Sequence, residues 1–106
     1  MYLAMNHFRV QPELAHEFEK AWRERRSYLD AVPGFLDFHL LRGPVEDGAQ
    51  MYASHTLWEN EATFLDWTRS EAFRLAHGQA RMPQGVVLGP PRFVGWTSVD
   101  LGSEPA

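Results

Sequence analysis

Apolar and polar positions follow two different rhythms along this chain. Near the start the period is two: Tyr2, Ala4, Asn6, Phe8 and Val10 alternate with Leu3, Met5, His7 and Arg9. Each set points to its own face of a strand over 1–10. Pro12 then stands where helices often begin. Leu14, Phe18, Ala21, Trp22 and Leu29 recur at roughly helical spacing, with charged residues in the gaps. That pattern predicts an amphipathic helix lying on a sheet, stopped by Pro33 and Gly34. Residues 35–42 and 50–58 read as a second and a third strand, and Gly43, Pro44, Asp47 and Gly48 mark the hairpin loop between them. Asn60 predicts the cap of a helix through Thr68. Ser70 predicts a second cap, starting a segment that runs to about Arg81, so the two segments form one broken helix. Residues 82–91, rich in Gly and Pro, predict a loop, 92–101 the last strand, and 102–106 a loose tail.

The order β-α-β-β-α-β is that of an α+β, ferredoxin-like domain with an antiparallel sheet. A single such domain over 1–101 accounts for the chain up to the tail. Helices on one face leave the other face bare, and Tyr52, Trp58, Phe93 and Trp96 are large side chains in need of a cover. A second copy of the sheet would supply it, since twofold dimers are the commonest oligomers. The expectation is a homodimer with its sheets face to face.

Composition narrows the partners. The 106 residues are 44% hydrophobic and 23% charged, the balance of an ordinary soluble domain. A net charge of −4 argues against nucleic acid, whose binding surfaces carry an excess of basic residues. No stretch approaches the roughly 18 apolar residues of a membrane span, and residues 1–10 lack the basic and apolar regions of a signal peptide. The absence of cysteine excludes disulfides, thiol catalysis and zinc–thiolate sites, and fits a reducing, cytoplasmic setting.

Four residues or groups stand out chemically. Asn is depleted in strands, yet Asn6 sits among apolar neighbours. Either it occupies an exposed edge, or it offers a fixed hydrogen bond to a ligand over the sheet. His77 precedes Gly78, and a neutral imidazole beside a glycine suits the iron of a flat porphyrin. Arg74 and Arg81 share its helix face at i−3 and i+4 and suit propionate groups; the same three residues also read as a solvated polar face. Trp67 ends the first helical segment with Phe64 at i−3, a spacing that suits plain core as well as a wall against a flat cofactor. The other histidines, His7, His16, His39 and His55, form no close pair with metal-ligand spacing. No GxSxG, P-loop, GxGxxG or HExxH motif is present.

Three segments carry a resemblance: Pro33-Gly34-Phe35-Leu36, Leu57-Trp58-Glu59 and Ala62-Thr63-Phe64-Leu65-Asp66-Trp67. Together they resemble the antibiotic biosynthesis monooxygenase superfamily, over nearly the whole chain. That resemblance implies a dimeric α/β barrel. Asn6, Trp67 and His77, the last within Phe73-Arg74-Leu75-Ala76-His77, are similar to the signature of the IsdG-like haem-degrading monooxygenases. The resemblance implies His77 as proximal ligand to haem iron, Asn6 as hydrogen-bond donor on the distal side, and Trp67 as the residue pressing the porphyrin out of plane. It implies haem as both cofactor and substrate, with O2 and an external electron donor, an unidentified reductase. Trp22 and Arg25 border the pocket in this reading, and residues 82–91 form a mobile loop beside it. Phe8, Phe64, Leu75 and Val94 are available as apolar walls. Alternatives are a cofactor-free monooxygenase acting on an aromatic or quinol substrate, a non-catalytic haem carrier or sensor, and a plain dimerisation domain.

Overall fold

A computed structural model describes residues 1–25, 28–71, 73–74 and 85–102. At its centre lies β1 (Tyr2–Val10), which pairs antiparallel with β3 (Ala49–Trp58) on one side and with β4 (Arg92–Thr97) on the other. β2 (Phe35–Glu46) closes the opposite edge, giving the order β2-β3-β1-β4. Among the described residues, helices α1 (Ala15–Glu24) and α2 (Glu61–Thr68) complete the ferredoxin-like order.

The alternation of β1 decides what each face holds. Tyr2, Ala4, Asn6, Phe8 and Val10 face the helices: Phe8 meets Phe18 of α1 at 5.4 Å between ring centroids, and Tyr2 meets Phe64 of α2 at 5.4 Å. Leu3, Met5, His7 and Arg9 take the open face. Register carries this phase across the sheet, so Tyr52, Ser54, Thr56 and Trp58 point to the helices as well. This corrects the expectation that Tyr52 and Trp58 need a second chain to cover them. Both are buried by the chain's own helices. Phe93 is on the helix side too, half-exposed and stacked on Phe64 at 5.7 Å. Of the four, Trp96 alone lies on the open face, opposite Leu3 and 58% exposed.

The first helix is shorter than its pattern suggests. A 3₁₀ turn, Pro12–Leu14, leads into α1, which ends at Glu24 rather than at Pro33. Arg25 is extended, Tyr28 is left-handed with φ 59°, and a second 3₁₀ turn, Leu29–Ala31, drops Leu29 into the core. Leu29 thus satisfies the apolar spacing without belonging to the helix.

Gly43 and Pro44, expected in the loop, lie inside β2 at a register shift between Arg42 and Val45. Proline is tolerated there because β2 is an edge strand with a bulge. The reversal itself is tight, at Asp47 and Gly48, both with positive φ. α2 begins where expected: the Asn60 side chain accepts from the Thr63 amide at 2.9 Å. Ser70 is a second cap, its hydroxyl accepting from the Phe73 amide at 3.1 Å. The continuation to Arg81 lies outside the described residues, as do 82–84 of the loop and 103–106 of the tail. Within 85–91 the chain is stitched to the end of β1: Gln11 N donates to Val86 O at 2.9 Å, Leu88 N to Arg9 O at 2.7 Å, and Val86 is buried. β4 ends at Thr97, short of the expected 101.

Gly34 joins the sheet to α2. Its φ of +84° and the Thr63 side chain, which a Cβ would strike, both demand glycine. No described helix is long and apolar enough to cross a membrane.

Candidate active site

The early end of α1 leaves a gap between the two helices, and a cavity of about 280 Å³ fills it. Its floor is the sheet: Ala4 and Asn6 of β1, Ser54 and Thr56 of β3, and Phe38 of β2. Its walls are Trp22 and Arg25 at the end of α1, Leu29 in the second 3₁₀ turn, and Phe64 and Trp67 of α2.

The walls are largely aromatic. Trp22 stacks on Phe38 at 5.8 Å with an interplanar angle of 23°. The Arg25 guanidinium also lies over the Trp22 ring, 4.7 Å from its centroid, so cation, indole and phenyl pack together in this wall. Opposite, Trp67 is held by Trp58 at 5.3 Å, Phe64 at 6.1 Å and Phe73 at 4.8 Å. The two readings of Trp67 are therefore compatible: it is core on one side and cavity wall on the other.

Arg25 is the unusual charge. Its Nε is buried without a hydrogen-bond partner, and no ion pair reaches it among the described residues. Burial pushes its guanidinium below the ordinary arginine value. The group stays charged, since arginine titrates far above neutrality, and a desolvated cation favours an anionic ligand. Asn6 is half-buried on the floor.

Five of the residues singled out in the sequence, Asn6, Trp22, Arg25, Phe64 and Trp67, thus meet around one cavity. Arg74 does not line it: it is exposed and paired with Glu71, its Nε donating at 3.2 Å. His77 and Arg81 lie outside the described residues, as does Leu75. Among the expected walls, Phe8 packs instead on Phe18 and Trp22, and Val94, paired with Met5, is on the opposite face of the sheet. The sequence reading missed Ser54, Thr56, Leu29 and Phe38. The signal for the first two is visible in retrospect: a Ser and a Thr occupy the core-facing phase of β3 between Tyr52 and Trp58. Among the described residues no group of histidines and carboxylates is arranged to hold a metal ion.

Comparison with known proteins agrees with this geometry. Residues 1–79 match the model of the family described as antibiotic biosynthesis monooxygenase. A "heme-degrading monooxygenase" of Shouchella clausii is 28% identical over 89 residues, covering 84% of this chain and 82% of that protein. A "heme oxygenase (mycobilin-producing)" of Mycobacterium tuberculosis is 33% identical over 79 residues, covering 74% and 73%. The structure of the heme-degrader MhuD from the same organism, with two hemes bound in its active site, superposes with a TM-score of 0.71 at 30% identity, over 96% of this chain and all of that one. A cofactor-independent oxygenase, SnoaB of Streptomyces nogalater, shares the fold with a TM-score of 0.66 at 19% identity, over 97% of each chain. The chain therefore belongs to the antibiotic biosynthesis monooxygenase family and is an oxidoreductase.

Proposed function

We propose that this protein is a haem-degrading monooxygenase, which opens the porphyrin ring with O2 and electrons from an external donor and releases the iron. The observation that carries the reading is the convergence around one aromatic cavity of Asn6, Trp67 and a half-buried Arg25 whose Nε has no partner among the described residues. A flat, mostly apolar ligand with carboxylate arms matches such a site: indole and phenyl faces for the ring, a desolvated guanidinium for a propionate. The haem-degrading relatives support the same substrate.

Each residue has a task in this reading. Arg25, steadied on Trp22, binds a carboxylate and fixes the ring's orientation. Asn6 presents its amide above the floor, where it donates a hydrogen bond to an oxygen species. Trp67, backed by Trp58 and Phe73, is a rigid wall that would bear on one face of the bound ring and bias which of its carbons reacts. Phe64 and Trp22 keep water from the ring faces. Family resemblance assigns His77 as proximal iron ligand, and helix-face spacing offers Arg81 beside it as a cation for a propionate. Bound haem supplies the iron at which O2 is reduced, and a separate reductase supplies the electrons. A cysteine-free chain fits a cytoplasmic setting.

The protein acts as a homodimer in this account. The open sheet face carries Leu3, Met5, Leu57 and Val94, with Leu41 42% and Trp96 58% exposed. Two such faces packed together would form the dimeric barrel. Trp96→Glu is expected to convert the dimer to monomers in sedimentation velocity; a variant that sediments as wild type would remove this face from the interface.

Titration of haemin into the purified protein, followed in the visible spectrum, tests the reading. A saturable Soret change is expected, and linear absorbance growth with no shift would sink it.

A further inference from the structure

Ser54 has no task in the account so far. It projects from β3 to the helix side, in phase with Tyr52, Thr56 and Trp58, and it lines the cavity floor. It is 6% exposed. Its neighbour Thr56 settles its hydroxyl within the fold, donating to the Ala4 carbonyl at 3.3 Å. The Ser54 hydroxyl has no such bond among the described residues. The hydroxyl is not one of the polar atoms sealed from solvent, so it opens onto the cavity it lines, and valine would suit a plain core-facing strand position better. The hydroxyl is therefore placed for something that enters the cavity.

Its position names the partner. In the β1–β3 register Ser54 stands directly opposite Asn6. Side chains of directly opposed residues have Cβ atoms about 4.5–5.5 Å apart, so a hydroxyl and an amide there can reach one small atom between them. Both groups donate, and neither carries charge. In a cavity walled by aromatic rings such neutral donors act at low effective dielectric, where a hydrogen bond is stronger than in water.

We propose that Ser54 is the second hydrogen-bond donor of the cavity floor, and that with Asn6 it binds a small oxygen ligand of haem iron by a two-point contact. This rests on the haem reading above. Asn6 alone fixes one direction of approach; a second donor from the adjacent strand fixes where the ligand's outer atom lies relative to the ring edge.

Fluoride binding to the ferric haem complex tests this without turnover, because fluoride is a compact hydrogen-bond acceptor. Haemin complexes of wild type, Ser54→Ala, Ser54→Thr and Ser54→Val are titrated with fluoride and followed by absorbance. Thr and Val have nearly the same shape and differ by the hydroxyl, so packing effects cancel between them. The expected result is fluoride affinity lowered about tenfold in Ser54→Ala and Ser54→Val and retained in Ser54→Thr, the size of one hydrogen bond. Haemin affinity should stay within about twofold throughout, since the ring's main contacts lie elsewhere. Equal fluoride affinity in the Thr and Val variants would overturn the role of Ser54 while leaving the haem reading intact. Failure of the wild-type protein to bind haemin would overturn both.

Discussion

The helix-covered face of the sheet holds two aromatic clusters, and they differ in what they leave unfinished. At one end Val10, Phe18, Tyr52 and Val86 are buried together, with Phe18 and Tyr52 rings 4.6 Å apart. Its polar border is closed as well: the Tyr52 hydroxyl donates to Glu19, and Arg42 donates to the same carboxylate through Nη2 at 2.6 Å and Nε at 3.2 Å. At the other end Tyr2, Ala4, Leu29, Trp58 and Trp67 form the second cluster. Beside it lies the cavity, with the Nε atom of its wall residue Arg25 buried and unpartnered among the described residues. Tight interiors leave few voids and few unsatisfied groups. At Arg25 space and an unmade hydrogen bond coincide, which is the combination the proposed haem site requires. The first cluster anchors α1; the second uses the end of α1 as a wall.

If this division is right, substitutions should separate into two kinds. The largest effect on stability belongs to the closed end. Phe18→Ala should lose about 3–5 kcal/mol in urea unfolding, as a fully buried aromatic does. Phe38→Ala, beside existing space, should lose within about 1–3 kcal/mol and weaken haemin binding instead. Equal losses at the two positions would break the comparison.

On the open end the largest effect is on turnover. Asn6→Ala should leave haemin affinity within a few-fold while slowing ring opening about a hundredfold or more, the usual consequence of removing a positioned donor. Degradation at the wild-type rate would remove Asn6 from the mechanism. Arg25→Met comes next. It should weaken haemin binding about tenfold, since bonds to charged groups contribute about 1.5–3 kcal/mol, and it should leave urea stability unchanged or raised, because it deletes a half-buried cation whose Nε is unpartnered among the described residues. A variant that unfolds more easily yet binds haemin normally would make Arg25 a structural residue.

The smallest effect concerns acid. The Tyr52 hydroxyl, and then Arg42, hold the Glu19 carboxyl below its ordinary value. A depressed folded value means that the stabilisation is full above the unfolded value and disappears as pH falls through the folded one. Glu19→Gln should therefore lower stability slightly near neutrality, where that stabilisation is full, and flatten its loss on the acid side, so that variant and wild type converge at low pH. An acid limb as steep as that of the wild type would assign acid sensitivity to other carboxylates.

The sequence showed the fold well because its periods are clean. Alternation over β1 and β3 assigned strands, and Asn60 and Ser70 marked caps that the structure uses. It failed where local pattern and path diverge. Leu29 fits a helical period but reaches the core through a left-handed Tyr28 and a 3₁₀ turn, so α1 looked longer than it is. Pro44 reads as loop to any local rule, and an edge bulge accommodates it. Burial of Tyr52 and Trp58 depended on which phase of β3 faced the helices, a fact set by register with β1. At the site, resemblance drew attention to Asn6 and Trp67. Ser54 carries no motif; its place in the core-facing phase of β3 and its register opposite Asn6 expose it.

The central claim is tested most directly by supplying an electron donor, in air, to the haemin complex and following both the Soret band and the mass of the tetrapyrrole. The account predicts loss of the Soret band in proportion to enzyme, with an open-chain, iron-free tetrapyrrole as product. A complex whose Soret band persists, with intact haem recovered, would contradict it and make the protein a haem carrier.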